Sequence, residues 1–519
     1  MTKPIDIVVV GGGTAGWLTA CLLAAEHGRG DLPRARIRLV ESANVPSIGV
    51  GEGTWPSMRS TLQRIGISER DFIVQCDASF KQGSTFKGWR TGASDDQYHH
   101  PFTLPAGYPE MNLGQYWLPY QSQVEFANAV TAQGRICEMG LAPKNARSSE
   151  YSAALNYGYH LDAGKFAQLL QQHGTEKLGI EHIIDDVLSV EGGLNEPISA
   201  LNTKAHGQLK ADLYIDCSGF AALLIDKHYQ VPLQSVRDGL FNDAAIAIQV
   251  PYGNEGKNQN EPIASNTIAC AQTHGWTWDI GLYSRRGMGY VYASDFTNAE
   301  QAEATLRQHI ANTSGNLSES QIEQLQAKHI KLNPGYRTSF WQHNCVAIGL
   351  SAGFIEPLEA SAIALVEVAA KYVSDHLNIP GELYSTVAKR FNQTMTAHWQ
   401  KIIDFLKLHY VLSKRDDSEY WLAHRDERYW SDWLRESVQL WQHNSPTLYD
   451  LPMAMEMFPA ASFQYVWYGM NCGALLQPVT PDINTDKAAN LFQQVAQQTR
   501  TLAQSLPENR ELLMWMRNQ

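Results

Sequence analysis

Gly11, Gly13 and Gly16 stand in the pattern GxGxxG, and Glu41 follows 25 residues after the last of them. Glycines so spaced serve three purposes between a strand and a helix. The first permits the tight turn, the second lets a pyrophosphate approach the backbone, and the third lets helix and strand pack closely. The helix N-terminus behind them, with Thr14 and Ala15 inside the motif, offers unpaired N–H groups to phosphates. A carboxylate ending the next strand, the place of Glu41, accepts hydrogen bonds from an adenosine ribose. The chemistry predicted is dinucleotide binding.

The elements needed to position that motif are present. Residues 5 to 10 are a β-branched run of the kind buried on both faces of a parallel sheet, 17 to 26 have helical composition, and 37 to 40 form a second buried strand. This is a βαβ unit. Asp212 to Gly219 reads as a late strand ending in a small-residue turn, part of a hairpin strand running from Leu209 to Cys217. A further strand from Cys345 to Leu350 leads through Gly353 and Pro357 into a helix from Ser361 onward. By fold-level analogy, flavin enzymes use such a turn to set backbone amides near the flavin, so FAD is favoured over NAD.

Between these parts, Gly88 to Gly114 is rich in Tyr, His, Pro and Gly, the composition of an ordered loop region over a site. Residues 165 to 173 are helical. Ala244 to Val250, Trp276 to Leu282 and Gly289 to Ala293 alternate as antiparallel strands, and after Gly381 the chain is helical and aromatic. The expected fold class is α/β: a Rossmann-like FAD-binding fold of the flavoprotein monooxygenase type, with an antiparallel β substrate region and a helical C-terminal region. The expected divisions are FAD-binding segments at 1–75, 151–225 and 336–380, and substrate/tunnel loops and helices at 76–150. The antiparallel sheet is expected at 226–335 and the helical substrate-binding region at 381–519.

Composition narrows the function classes. With 44% hydrophobic and 18% charged residues the balance is that of a folded globular chain. A formal charge of -12 argues against nucleic-acid or anionic-membrane partners. Seven cysteines without CxxC spacing fit a reduced compartment. The 17 histidines include no HExxH, and the adjacent His99 and His100 lack ligand spacing, so no metal is expected. No run approaches ~18 apolar residues. A cytoplasmic location and a homodimer are the default expectations.

Five segments resemble one family, the flavin-dependent tryptophan halogenases, over nearly the whole chain. They are Gly13-Thr14-Ala15-Gly16-Trp17 with Ile48-Gly49-Val50-Gly51-Glu52-Gly53-Thr54; Ala78-Ser79-Phe80-Lys81 followed by Trp89; Tyr159-His160-Leu161-Asp162 with Asp216-Cys217-Ser218-Gly219-Phe220; Gly275-Trp276-Thr277-Trp278-Asp279-Ile280; and Glu356-Pro357-Leu358-Glu359. Trp276 and Trp278, at i and i+2 on one strand face, form a bulky wall that in the family keeps organic substrate from the flavin. The family's following proline is Gly281 here, which leaves the wall and loosens the backbone behind it.

The resemblance implies a mechanism and its residues. A separate NAD(P)H-dependent reductase supplies FADH2, which reacts with O₂ to give a C4a-hydroperoxide. Chloride or bromide attacks it, and the resulting hypohalous acid travels through a tunnel to Lys81. There the amine holds electrophilic halogen by hydrogen bonding or as a haloamine, and Glu359 polarises the oxidant and accepts a proton. Halide is held by the backbone amides of Ser361 and Ala362, where Ala360 replaces the family's serine. Further FAD contacts fall at Ser42, Ile48, Glu52, Gly53, Val187, Leu350 and Ile363. His100 and Phe102 match the substrate-side pair, with Phe463, Tyr465, Trp467 and Tyr468 available as the opposite wall. The residues that clamp the amino-acid backbone of free tryptophan have no counterpart, which favours indole, a substituted indole or a larger aromatic substrate. The rival readings are a flavin-dependent aromatic monooxygenase and a non-catalytic FAD-binding redox protein.

Overall fold

The computed structural model describes residues 4–30, 33–44, 51–253, 261–315, 317–379, 381–473 and 483–519. The chain divides into two compact units, each assembled from three stretches: 1–78, 161–236 and 333–399 in the first, and 79–160, 237–332 and 400–519 in the second.

The first unit is built on a six-stranded sheet. Its strands run in the order Trp341–Gln342, Cys345–Ala347, Leu213–Asp216, Ile5–Val10, Ala35–Glu41, Glu181–Ile184. All neighbours pair in parallel except the antiparallel edge pair Trp341–Gln342 and Cys345–Ala347. Ile7, Val8 and Val9 are wholly buried, as a strand covered on both faces requires, and each such side chain stabilises the fold by roughly 1.5–3 kcal/mol. The helix Thr14–His27 follows directly, and Ala163–Lys177 and Ala362–His376 supply further helical cover. The Leu209-to-Cys217 run is two strands, not one. Gln208–Leu209 belongs to an antiparallel sheet with Ala200–Thr203, whereas Leu213–Asp216 joins the parallel sheet. The break falls where the Asp212 carboxylate accepts the Asp6 amide (2.8 Å) and the Tyr214 hydroxyl accepts the Ala211 amide (2.9 Å), so local side chains replace the ladder.

The second unit carries a seven-stranded sheet in the order Ala327–Lys331, Ala244–Pro251, Arg285–Tyr292, Gly275–Gly281, Thr267–Gln272, Gly83–Lys87, Gln97–Pro101. Only the Thr267–Gln272/Gly83–Lys87 pair is parallel. Gln97–Pro101 lies within the stretch expected as loop. Its polar composition hides a strand whose Tyr98, His99 and His100 are buried. Helices fill the C-terminal part, among them Glu419–His424, Asp432–Trp441, Ala460–Gly469 and Asn509–Arg517. Ala460–Gly469 is buried at every position, its two polar side chains satisfied by hydrogen bonds, Ser462 to His100 and Gln464 to the Pro446 carbonyl. Among the described residues, no helix is long and apolar enough to cross a membrane.

Candidate active site

In the first unit the motif glycines separate by what surrounds them. Gly11 has φ +111°, and a Cβ there would lie 2.3 Å from the Cys217 carbonyl oxygen. At Gly16 it would lie 1.9 Å from the Gly11 carbonyl oxygen. Both glycines are therefore demanded by the protein's own backbone. A Cβ on Gly13 would meet nothing within 4 Å. This residue caps the Thr14–His27 helix, whose first turn has no side-chain cap and no acidic residue. An uncapped helix start with space for an added atom at Gly13 and no acidic residue in its first turn suits a pyrophosphate.

Glu41 completes that arrangement. Its carboxylate lies against the turn, so that a Cβ on Gly12 would meet Oε2 at 1.7 Å, and its Oε1 is 2.7 Å from His182 Nε2. His182 is in turn fixed edge-on against Trp17, with ring centroids 5.0 Å apart. The residues present thus fit an FAD adenosine moiety. Asp216 is structural: buried, it accepts from Ser218 Oγ (2.6 Å) and from the Leu224 and Ile225 amides (2.8 and 2.9 Å), and so pins the Cys217–Gly219 turn.

Of the other residues expected to contact FAD, Ile363 and Gly53 are buried, and Ser42, Glu52, Val187 and Leu350 are half-buried. Ile48 lies outside the described residues. Burial and the neighbouring Asp162 push the Glu52 carboxyl up to about 7. Gly349, at φ +79°, brings the Leu350 turn onto the motif helix, where its Cβ would stand 2.6 Å from that of Ala15.

Glu359 sits in a short 3-10 turn, Leu358–Ala360, ahead of the Ala362–His376 helix. It is buried, and its φ of +64° is followed by +55° at Ala360. Two consecutive left-handed residues that are neither Gly nor Asn store strain of order 1–2 kcal/mol each. The indole N–H of Trp55 donates to the Glu359 carbonyl oxygen (2.8 Å) and holds the turn. Ser361 caps the helix without a side-chain hydrogen bond, so the turn presents first-turn backbone amides at Ser361 and Ala362.

The second unit holds Lys81, Trp276, Trp278, His100 and Phe102. Lys81 ends the strand Ser79–Lys81, which pairs antiparallel with Gly158–Asp162 in a register that sets Ser79 opposite His160 and Lys81 opposite Gly158. Lys81 is completely buried. Its Nζ is 5.4 Å from the centroid of the Phe102 ring, a cation–π distance worth about 1 kcal/mol. Burial, with the Lys81 charge beside it, holds His160 well below the usual histidine range, so this imidazole stays neutral. His160 Nε2 is 2.8 Å from Thr267 Oγ1.

Trp276 and Trp278 lie on one face of Gly275–Gly281 with ring centroids 6.3 Å apart. Trp276 packs against the buried Trp89, whose indole N–H donates to the Ala269 carbonyl oxygen (3.0 Å); Trp278 is half-buried. The Gly281 carbonyl accepts from Ser79 Oγ, and a Cβ on Gly281 would stand 2.9 Å from Ile263, so the strand end is held where the proline is missing.

His100 is buried in an aromatic pocket with Phe405, Phe458 and Tyr465, ring centroids 5.6, 6.3 and 5.9 Å away, and its Nε2 is 2.9 Å from Ser462 Oγ. Phe463 contacts Phe405 (4.9 Å) and Tyr468 contacts Phe126 (4.6 Å). Trp467 is on another face of its helix, against Trp441 at 5.9 Å. Sequence reasoning missed Phe458 and Ser462. Neither belongs to a periodic apolar run, and the His100–Ser462 contact spans 362 residues.

A family model described as tryptophan halogenase matches residues 6–481. The chain is 32% identical over 536 residues to 7-chloro-L-tryptophan 6-halogenase KtzR of Kutzneria sp. (strain 744), covering 98% of this chain and 99% of that one. It is 31% identical over 548 residues to tryptophan 7-halogenase RebH of Lentzea aerocolonigenes, covering 99% of each. Among solved structures, a tryptophan halogenase from Shewanella frigidimarina NCIMB 400 superposes with a TM-score of 0.95 at 47% identity, over 99% of this chain and 98% of that one.

Proposed function

This chain belongs to the flavin-dependent tryptophan halogenase family and is an enzyme, and from that premise we propose that it halogenates an indole-like or other electron-rich aromatic compound at Lys81. When bound, reduced FAD supplies the activation of O₂ by which chloride or bromide becomes hypohalous acid. A separate NAD(P)H-dependent reductase supplies the reduced flavin, and Gly13, Glu41 and the helix start at Thr14 would hold it. The chain's own part is to bind the halide at the Ser361 and Ala362 amides, conduct the oxidant to Lys81 and hold it there.

The observation that carries the reading is the place of Lys81, wholly buried with its Nζ 5.4 Å from the Phe102 ring centre. An amine excluded from water can hold hypohalous acid without losing it to bulk solvent. The neutral His160 adds no positive charge beside Lys81. In this reading Glu359 polarises the oxidant and takes up the proton released on rearomatisation. Trp276 and Trp278 keep organic substrate off the flavin, so halogenation replaces direct oxygen transfer.

Mass spectrometry of a panel of indoles, incubated with the enzyme, FAD, a flavin reductase, NADH, O₂ and either halide salt, tests this. A halide-dependent mass gain is expected with wild type and its loss with Lys81→Ala, while reduced flavin is still reoxidised. Halogenation retained by Lys81→Ala would remove Lys81 from the mechanism. A hydroxylated product independent of halide would make the enzyme a monooxygenase.

A further inference from the structure

His99, on the strand face opposite His100, meets two carboxylates from distant parts of the second unit. Its Nε2 is 2.9 Å from Glu138 Oε1 and 3.8 Å from Glu125 Oε2, and the three ligand atoms lie within 4.8 Å of one another. We propose that His99, Glu125 and Glu138 form a binding site for a divalent transition-metal ion, with zinc the best match to one imidazole nitrogen and two carboxylate oxygens. Donors about 2.0–2.1 Å from a tetrahedral zinc stand roughly 3.3 Å apart, a spacing that the two measured separations bracket.

Each ligand is oriented by a second group that leaves the metal-facing atom available. Glu138 Oε2 takes Arg135 Nη1 at 2.5 Å, which turns Oε1, the oxygen that also meets His99 Nε2 and Asn128 Nδ2, toward the ion. Glu125 Oε1 accepts the His99 backbone N–H at 2.9 Å, which leaves Oε2. His99 Nδ1 is 2.8 Å from Thr85 Oγ1, an oxygen that also accepts from Asn266 Nδ2. Thr85 Oγ1 can accept from both, so with the His99 proton on Nδ1 the Nε2 atom, 2.9 Å from Glu138 Oε1, is the one turned to the ion. His99 is 3% exposed. Independently, Asn128 places its amide nitrogen 3.0 Å from Glu138 Oε1 while its own Oδ1 is buried without a hydrogen-bond partner. Turned by half a rotation, the same amide offers an oxygen to the ion as a fourth donor.

The ion would tie three elements together: the edge strand Gln97–Pro101 through His99, the start of helix Phe126–Val130 through Glu125, and the end of helix Gln133–Glu138 through Glu138. Because His100 on the same strand faces the aromatic pocket, the tie would also steady that pocket. The proposal does not depend on the halogenation chemistry at Lys81. The ligands lie 26 and 39 residues from His99, spacings that no short motif search detects.

Full-length protein stripped with a chelator and titrated calorimetrically with zinc sulfate provides the test, with cobalt chloride as a spectroscopic probe of coordination. The expected result is one zinc per chain and a rise in thermal midpoint. Affinity should fall about 100-fold or more in the near-isosteric Glu125→Gln and Glu138→Gln, and about tenfold in Thr85→Ala, each folded by circular dichroism. Failure of folded wild type to take up stoichiometric zinc would overturn the proposal, as would equal zinc binding by both Gln variants.

Discussion

Gly289 stands directly across the sheet from Trp278, and the space of its missing side chain is filled by the indole: a Cβ there would lie 2.1 Å from the Trp278 ring. The same atom would lie 2.5 Å from the Ile246 carbonyl oxygen, so the clash is not relieved by turning the ring alone. Gly289→Ala should destabilise the protein by roughly 1–3 kcal/mol, the usual cost of overpacking. Combining it with Trp278→Ala should cost less than the sum of the two single changes. Urea denaturation of the four proteins in that cycle measures the coupling, and strict additivity would mean that the two residues do not share this space.

The motif glycines should fail in different ways. Gly13→Val adds a side chain where no protein atom stands within 4 Å, so folding should survive while FAD affinity falls about tenfold or more, a loss of at least ~1.4 kcal/mol. Gly16→Val places a Cβ against the Gly11 carbonyl oxygen and should lower the folded yield itself. Fluorescence titration with FAD and circular dichroism separate the two effects. Unchanged flavin affinity in Gly13→Val would place the pyrophosphate elsewhere.

Relief of backbone strain can be separated from chemistry at the left-handed pair. Ala360→Gly, at φ +55°, should gain about 0.5–1 kcal/mol of stability and keep activity. Glu359→Gly relieves the neighbouring φ of +64° but should abolish halogenation, because the carboxylate goes with the strain. Thermal melts and turnover of both variants give the comparison. An active Glu359→Gly would assign Glu359 to the turn and not to the chemistry.

Glu367 gives a pH dependence of defined sign. Burial pushes its carboxyl up to about 7, against the opposing effect of Thr61 and Ser57, whose hydroxyls donate to it. The folded state therefore holds a proton that the unfolded chain, with an ordinary glutamate, has released between about pH 4.3 and 7. Stability from this group is fully present below the unfolded value, declines as pH rises through the folded one, and is level above it. Glu367→Gln should flatten the fall in thermal midpoint between pH 5 and 8 and leave acid stability nearly unchanged. Part of the slope should remain, since Glu52 is raised by a similar amount. An identical pH profile in the variant would show that Glu367 titrates normally.

What was legible beforehand followed from short-range signals. The Ile5–Val10 strand, the glycine turn and the helix after it announce themselves through β-branched residues and spacing, and the parallel sheet follows from them. Gln97–Pro101 was not legible as a strand because two histidines, a glutamine and a proline carry no apolar alternation; its burial comes from partners far along the chain. The left-handed backbone at Glu359 and Ala360 was equally hidden, since neither residue type favours it, and only the surrounding turn with Trp55 on its carbonyl imposes it. Likewise His100 could be named, but Phe458 and Ser462 around it could not, because tertiary packing and not periodicity brings them together.

Each compact unit is woven from three stretches, with the chain passing between them at 78/79, 160/161, 236/237, 332/333 and 399/400. A single recombination crossover with a relative therefore cannot trade one whole unit for another, and no two-piece split of the gene separates one unit cleanly from the other. Diversification of such a chain has to proceed by point replacement and loop exchange inside an otherwise unbroken frame. Engineered chimeras that respect all five seams should express where single-junction hybrids precipitate.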